Sequence, residues 1–297
     1  MGSKKKADSA EREALLHYMH GFIRLERRYP LMPGASSPET HAMLMGVEPE
    51  AYLQVAETQL ENVRKTAIEL LEDEDVQDWL QRLPFKKGDL ILAFGDSSVS
   101  DRQGWFQILR HVLDIGLPDS DLEFVESGMS WETTGSSLLR IQRDLLDREP
   151  DWVVLSTGAF DALRLHALPD RTLTPISETW ENLNALESVV KSVTGNPPIW
   201  LVPHPVMEQM QEDAGLYEYV VRNQDLRLVQ QLVAGKTGYI VDPLAHRFGR
   251  APEAWYFLSD GLHASLSGHA VTVREILWSL ARQDGKTGSS QEAPVEE

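Results

Sequence analysis

The strongest constraint on the fold is a regular alternation of short apolar runs with longer amphipathic segments between residues 88 and 282. Short continuous apolar runs are typical of strands that are buried on both faces of a parallel sheet. These runs predict five strands, at residues 89–94, 122–125, 152–156, 199–202 and 239–241. A helix is predicted after each strand, at residues 104–113, 136–146, 177–193, 219–233 and 265–282. The alternation predicts an α/β fold of the flavodoxin-like, three-layer kind, with a five-stranded parallel sheet.

The chain before this region has helical patterning and no strand-like run. One helix is predicted over residues 9–28, with an apolar face that includes Met19 and Phe22. A second is predicted over residues 48–72, where a narrow apolar seam advances in steps of three and four: Leu53, Ala56, Leu60, Val63, Ala67 and Leu70. This seam packs either against the rest of the chain or against a second copy, which would form a homodimer through the N-terminal helices.

Breaks in the patterning predict three parts of the chain. The change from helical to alternating pattern at Pro84 separates an N-terminal helical extension, residues 1–84, from a main domain over residues 85–283. The polar residues 284–297 are predicted to form a flexible C-terminal tail.

Composition excludes several classes of function. The chain has 28 Lys and Arg against 46 Asp and Glu, and its net charge of −18 repels the phosphates of nucleic acids and anionic lipids. The absence of cysteine excludes disulfides, a thiol nucleophile and thiolate metal sites. The N-terminus lacks the apolar stretch of a secretory signal, and no run is long enough to span a bilayer. We therefore expect a soluble, cytoplasmic protein with no nucleic-acid partner and no membrane insertion.

Polar loops follow the predicted strands at the edge of the sheet where ligands bind in α/β proteins. The loops with side chains suited to catalysis span residues 95–98, 126–130, 157–161 and 259–263. Because all four loops meet at one edge, their side chains can belong to a single site.

These loops contain the parts of a nucleophilic serine site. Ser97 ends a strand and enters a helix, whose free backbone N–H groups favour a developing anion. A serine hydroxyl needs a base within hydrogen-bond reach, and His263 is the candidate, with Asp260 to hold its ring. The backbone N–H groups of Ser97 and Gly128 would make a minimal oxyanion hole.

Together these residues resemble the motifs of the SGNH, or GDSL-type, hydrolase superfamily. The matching blocks are Gly95-Asp96-Ser97, residues 127–134, residues 158–161 and Asp260-Gly261-Leu262-His263. The resemblance covers about residues 88–282 and leaves the first 84 residues unassigned. It implies a serine esterase that cleaves a small-molecule carboxylic ester through an acyl-enzyme on Ser97, with His263 and Asp260 completing the triad.

One position departs from the family pattern. Phe160 stands where the family has an asparagine that donates to the oxyanion, and a phenyl ring cannot donate. Loss of one such donor costs about 10²–10³ in rate. Three alternatives follow: a working hydrolase with a substituted oxyanion hole, an enzyme that favours acyl transfer, or a non-hydrolytic ligand-binding or interaction protein on the same fold.

We expect four residues to line the pocket beside the nucleophile: Asp96, Phe160, Asp161 and His204. For His204, which follows the fourth strand, the alternative is a place in a rigid loop. The sequence has no P-loop, no Gly-x-Gly-x-x-Gly run and no His-Glu-x-x-His signature, so neither a metal nor an organic cofactor is expected.

Overall fold

The fold is built on five parallel strands, as predicted. The computed structural model describes residues 15–215, 218–243 and 252–282. The strands of the main sheet are β1 (Leu90–Gly95), β2 (Glu123–Gly128), β3 (Trp152–Ser156), β5 (Ile199–Leu201) and β7 (Tyr239–Val241). They lie in the order β2-β1-β3-β5-β7, which is the flavodoxin-like order, and this confirms the predicted α/β fold. A separate antiparallel pair joins β4 (Leu163–Leu165) to β6 (Tyr219–Val221).

Helices precede the sheet and alternate with its strands. Before the sheet lie α1 (residues 15–22), α2 (Leu25–Arg28), α3 (Pro38–Met45), α4 (Pro49–Leu71) and α5 (Glu74–Leu80). Within the alternating region lie α6 (Ser97–Ser100), α7 (Trp105–Gly116), α8 (Thr134–Leu138), α9 (Ile141–Asp144), α10 (Ile176–Val193), α11 (Glu208–Ala214), α12 (Asn223–Ala234) and α13 (Leu266–Ala281). None of the helices in the described ranges is both long enough and apolar enough to cross a bilayer.

Three predicted helices differ from the observed ones. The helix predicted over 9–28 is broken between α1 and α2 within the described residues, where Arg24 leaves the helix to bond with the main domain. The helix predicted over 136–146 is two short helices, α8 and α9. The segment predicted as helical from 219 begins as strand β6, because its β-branched residues pair with β4.

The N-terminal helices share one hydrophobic core with the sheet. Val63, Ala67 and Leu70 of α4 pack in the same buried cluster as α7 and α13. This part of the predicted seam therefore packs against the rest of the chain. Leu53 and Leu60, at the other end of the seam, are exposed. The homodimer stays a prediction, as do the domain boundaries, and residues 284–297 lie outside the described ranges.

A buried arginine ties the carboxyl ends of β1 and β2 to the loop that follows β2. Arg140 donates to the carbonyl oxygen of Gly95 at the end of β1 and to that of Ser127 in β2, both at 2.9 Å. Its Nε and Nη2 also bind the carboxylate of Glu132 at 2.5–2.9 Å. The guanidinium lies 4.2 Å from the centre of the Phe94 ring. Since a guanidinium offers five donors in a fixed plane, it sets the spacing of all three segments.

Replacing Arg140 by methionine should lower the free energy of unfolding by about 3–5 kcal/mol, because Glu132 is left as a buried charge without its partner. Urea denaturation measures the change. Adding Glu132→Gln to the Arg140→Met variant should restore part of the loss, since a neutral amide is cheaper to bury than a carboxylate. Equal stabilities for wild type and Arg140→Met would contradict this role.

Candidate active site

The predicted nucleophile lies at the turn from β1 into α6. Ser97 is the first residue of α6 and is 1% exposed. Asp96 caps this short helix by accepting a hydrogen bond from the backbone N–H of Ser98 at 3.0 Å. The turn therefore holds the Ser97 hydroxyl at the carboxyl edge of the sheet, inside the protein.

The predicted base and its carboxylate partner form a buried pair after β7. His263 Nδ1 lies 2.7 Å from the carboxylate of Asp260, which also accepts the backbone N–H groups of Leu262 and His263. Burial would raise the pKa of Asp260, but the hydrogen bond and charge of His263 outweigh it and hold that pKa below its usual value. The carboxylate is therefore ionised and fixes the orientation of the imidazole.

Ser97 and His263 line the same cavity, whose volume is about 40 Å³. The hydrogen bond between them is not formed: His263 Nε2 is buried and has no hydrogen-bond partner among the described residues. The Ser97 hydroxyl instead accepts the backbone N–H of Trp131 at 2.9 Å. Catalytic hydrogen bonds are often completed only when substrate binds, so this geometry is compatible with a catalytic role for the two residues.

Gly128 lies close to the nucleophile's helix, and its part in an oxyanion hole stays a prediction. This residue ends β2, where a Cβ atom would lie 2.3 Å from the backbone nitrogen of Ser100, so the missing side chain allows β2 and α6 to pack closely. The N–H that reaches the Ser97 hydroxyl belongs to Trp131, whose φ of 63° lies in the left-handed region usually occupied by glycine. Sequence reasoning missed this donor because a backbone conformation cannot be read from a tryptophan side chain.

Three of the four expected pocket residues lie at the cavity. Asp96, Phe160 and His204 all line it. Burial lowers the pKa of His204 to about 4, so its imidazole is neutral near pH 7. Phe160 is buried with its ring centre 6.1 Å from that of His263, so an apolar ring lies near the imidazole.

Asp161 does not line this cavity, contrary to expectation. Its carboxylate is buried and accepts the backbone N–H and the hydroxyl of Thr134 at 2.8 and 2.5 Å. It lines a separate, open cavity on the other side of that contact. Asp161 therefore fixes the start of α8, and its place beside Phe160 in the sequence does not bring it to the nucleophile.

Aromatic rings surround the imidazole of His263. The Phe22 ring centre lies 4.3 Å from it, that of Trp131 4.9 Å and that of Tyr18 5.9 Å. Two of these residues come from α1, far from the polar loops in sequence. Sequence reasoning predicted an apolar face on this helix but had no signal for the surface that the face covers.

A second histidine–carboxylate pair lines the same cavity. His269 Nε2 lies 3.2 Å from the carboxylate of Asp101, and both side chains are buried. Asp101 also accepts the backbone N–H of Gln103. No group of three or more His, Asp or Glu side chains in the described ranges is arranged to hold a metal ion.

Comparison with known proteins gives a family match and structural relatives. The model of the GDSL-like lipase/acylhydrolase family matches residues 93–271, which is more than half of the chain. No curated protein matches the chain.

Three solved structures illustrate the structural likeness. An α/β hydrolase enzyme from the metagenome of Lake Arreo, Spain, is 22% identical with a TM-score of 0.55, over 68% of this chain and 99% of that one. A variant of an acetyl xylan esterase from Geobacillus stearothermophilus is 20% identical with a TM-score of 0.54, over 68% and 99%. A lipase/acylhydrolase from Enterococcus faecalis is 20% identical with a TM-score of 0.52, over 67% and 100%. At these identities the likeness establishes a shared fold.

The buried Asp96 carboxyl should make stability depend on pH. Burial raises the pKa of Asp96 to about 7, so its contribution to stability is present below the unfolded value and is lost as pH rises through 7. Asp96→Asn keeps a capping oxygen and cannot ionise. Its free energy of unfolding, relative to wild type, should therefore rise by roughly 2–3 kcal/mol between pH 5 and pH 8.

Urea denaturation at a series of pH values measures this difference. Asp119→Asn, at an exposed aspartate, should keep a constant offset from wild type over the same range. A constant offset for Asp96→Asn as well would show that the buried carboxyl does not titrate in this interval.

Proposed function

We infer that this chain, which belongs to the GDSL-like lipase/acylhydrolase family, hydrolyses esters through an acyl-enzyme formed on Ser97. The family acts on ester bonds. The proposal assigns that chemistry to Ser97 as the nucleophile, His263 as the general base and then the general acid, and Asp260 as the group that orients the imidazole.

The reaction follows from the positions of these groups. His263 Nε2 takes the proton of the Ser97 hydroxyl as its oxygen attacks the ester carbonyl carbon, and a tetrahedral oxyanion forms. The backbone N–H groups of Ser97 and Gly128 are the proposed donors to this oxyanion, while the Trp131 N–H contacts the attacking oxygen itself. The C–O bond then breaks, and the imidazolium gives its proton to the leaving alcohol. Water repeats the sequence on the acyl-enzyme, releases the carboxylic acid and restores the serine.

The observation that carries the proposal is the state of the His263 ring. Its Nδ1 is fixed by Asp260 at 2.7 Å, while its buried Nε2 is left without a partner among the described residues at a cavity shared with Ser97. A buried polar atom without a partner costs about 1–3 kcal/mol. Such an atom is rare in folded proteins and calls for an explanation, which a catalytic role supplies.

The size of the cavity favours a substrate with a short acyl group. Its volume of about 40 Å³ has room for about three water-sized groups. Leu201, Val206 and Leu226 contribute apolar surface to it. An acetyl group fits these dimensions, and one of the structural relatives is an acetyl xylan esterase. We therefore propose small-molecule esters of short-chain acids as the substrates.

Ser97→Ala should lower the kcat for p-nitrophenyl acetate by at least about 10³-fold, because the covalent route is lost. The same substitution should abolish labelling by a fluorophosphonate probe. Ser188→Ala, at an exposed serine on α10, is the matched control and should retain both activity and labelling. Labelling that persists in Ser97→Ala, or no turnover and no labelling of wild type, would refute the proposal.

Phe160→Asn tests the missing donor. If the side-chain amide reaches the oxyanion, kcat should rise, by up to about 10²-fold. The variant should also be less stable, by roughly 2–4 kcal/mol, because a polar group replaces a buried ring. Phe160→Leu shares the loss of the ring but offers no donor, so its kcat should not rise. Equal kcat values for the two variants would contradict the missing-donor explanation.

A further inference from the structure

The N-terminal residues 15–24, here called the covering segment, lie over the catalytic histidine. Phe22 is buried, and its ring centre lies 4.3 Å from that of His263 and 4.9 Å from that of Tyr18. The segment lies outside the residues that match the family model, which begin at position 93. The family fold alone therefore does not supply this wall of the site.

The covering segment is held in place through its backbone. Its carbonyl oxygens accept hydrogen bonds from both the catalytic region and α4: Ser130 Oγ to Phe22 at 2.6 Å, Arg102 N to Gly21 at 3.1 Å, Arg102 Nε to His20 at 3.0 Å and Gln59 Nε2 to His17 at 2.9 Å. Backbone contacts of this kind fix the path of the chain, so the Phe22 side chain can pack against His263.

The docked segment keeps substrate away from the reacting atoms. Ser97 is 1% exposed and His263 5%. An ester carbonyl has to come within about 3–3.5 Å of the serine oxygen before reaction is possible. The cavity at Ser97, about 40 Å³ in volume, is too small to hold a whole ester while Phe22 stays in place.

Phe22 separates two spaces. On its inner side is the cavity of about 40 Å³ at Ser97. On its outer side is a groove of about 280 Å³, lined by Phe22 itself and by Ile23, Leu25, Met129 and Trp131 among others. Displacing or shortening the Phe22 side chain would join the cavity to the groove.

We infer that Phe22 controls access to Ser97 and sets the size of ester that the site accepts. This inference rests on the proposed function. The cavity takes a short group, and the rest of the ester lies in the groove, which Arg24 and Arg28 also line, once the Phe22 ring has moved aside. With the ring in place, long acyl chains are excluded. Phe22 is thus a specificity-determining residue that comes from outside the catalytic sheet.

The first test measures access to position 97 without any turnover. The chain has no cysteine, so Ser97→Cys introduces a single thiol. Its rate of alkylation by N-ethylmaleimide should rise at least tenfold when Phe22→Ala is added. Leu15→Ala, at an exposed position of the same helix, is the matched control and should leave the rate unchanged. Rates that agree within twofold with and without Phe22→Ala would overturn the inference.

The second test measures substrate size with Ser97 intact. The ratio of kcat/KM for p-nitrophenyl octanoate to that for p-nitrophenyl acetate should rise at least tenfold in Phe22→Ala, since each further buried methylene favours binding. An unchanged ratio would overturn the inference. If no variant hydrolyses any ester, the proposed function fails, and the alkylation rates still decide the role of Phe22.

Circular dichroism melting curves establish that each variant is folded. If Phe22→Ala unfolds, Phe22→Leu takes its place, because leucine keeps an apolar contact but is smaller than the ring. A rise of about threefold in the alkylation rate of the Ser97→Cys thiol would then support the inference. An unchanged rate in a folded Phe22→Leu variant would overturn it.

Discussion

The guanidinium of Arg140 joins the end of β1, the end of β2 and the loop that follows β2. Ser97 lies two residues beyond one attachment point, and Trp131 lies next to another. The 2.9 Å contact between the Ser97 hydroxyl and the Trp131 N–H therefore depends on a single buried cation. Removing one partner of a buried ion pair is far more destabilising than replacing both partners by apolar residues. A single substitution at Arg140 or Glu132 is therefore poorly tolerated.

The surroundings of the proposed oxyanion hole are unusually apolar. Rings of Phe22, Trp131 and Phe160 pack around His263, and one of them stands where the family has an amide donor. A hydrogen bond gains strength as its surroundings lose water and polarity. Two backbone donors in such a site can therefore stabilise an oxyanion more than the same donors at an open surface. The aromatic shell thus offsets part of the missing amide.

The sheet could be predicted from the sequence because strand and helix leave different periodic patterns, and the order of the five strands followed the expected fold. At residues 219–221 a helix was predicted, but the chain forms a strand there because these residues pair with β4. The placement of Ser97, Asp260 and His263 at one edge of the sheet followed from the topology of α/β sheets. Three features of the site could not be predicted: the left-handed backbone of Trp131, the orientation of Asp161 and the target of Phe22. Each depends on contacts between segments that are distant in sequence.

The shared core of α4, α7 and α13 limits how far the N-terminal residues can be removed without exposing apolar surface. Val63, Ala67 and Leu70 supply one wall of that core, and they lie well before the stretch matched by the family model. A fragment trimmed to the matched stretch would carry a bare apolar strip on its surface, and such strips promote aggregation. The core of the sheet domain is therefore completed by residues that lie before the stretch matched by the family model.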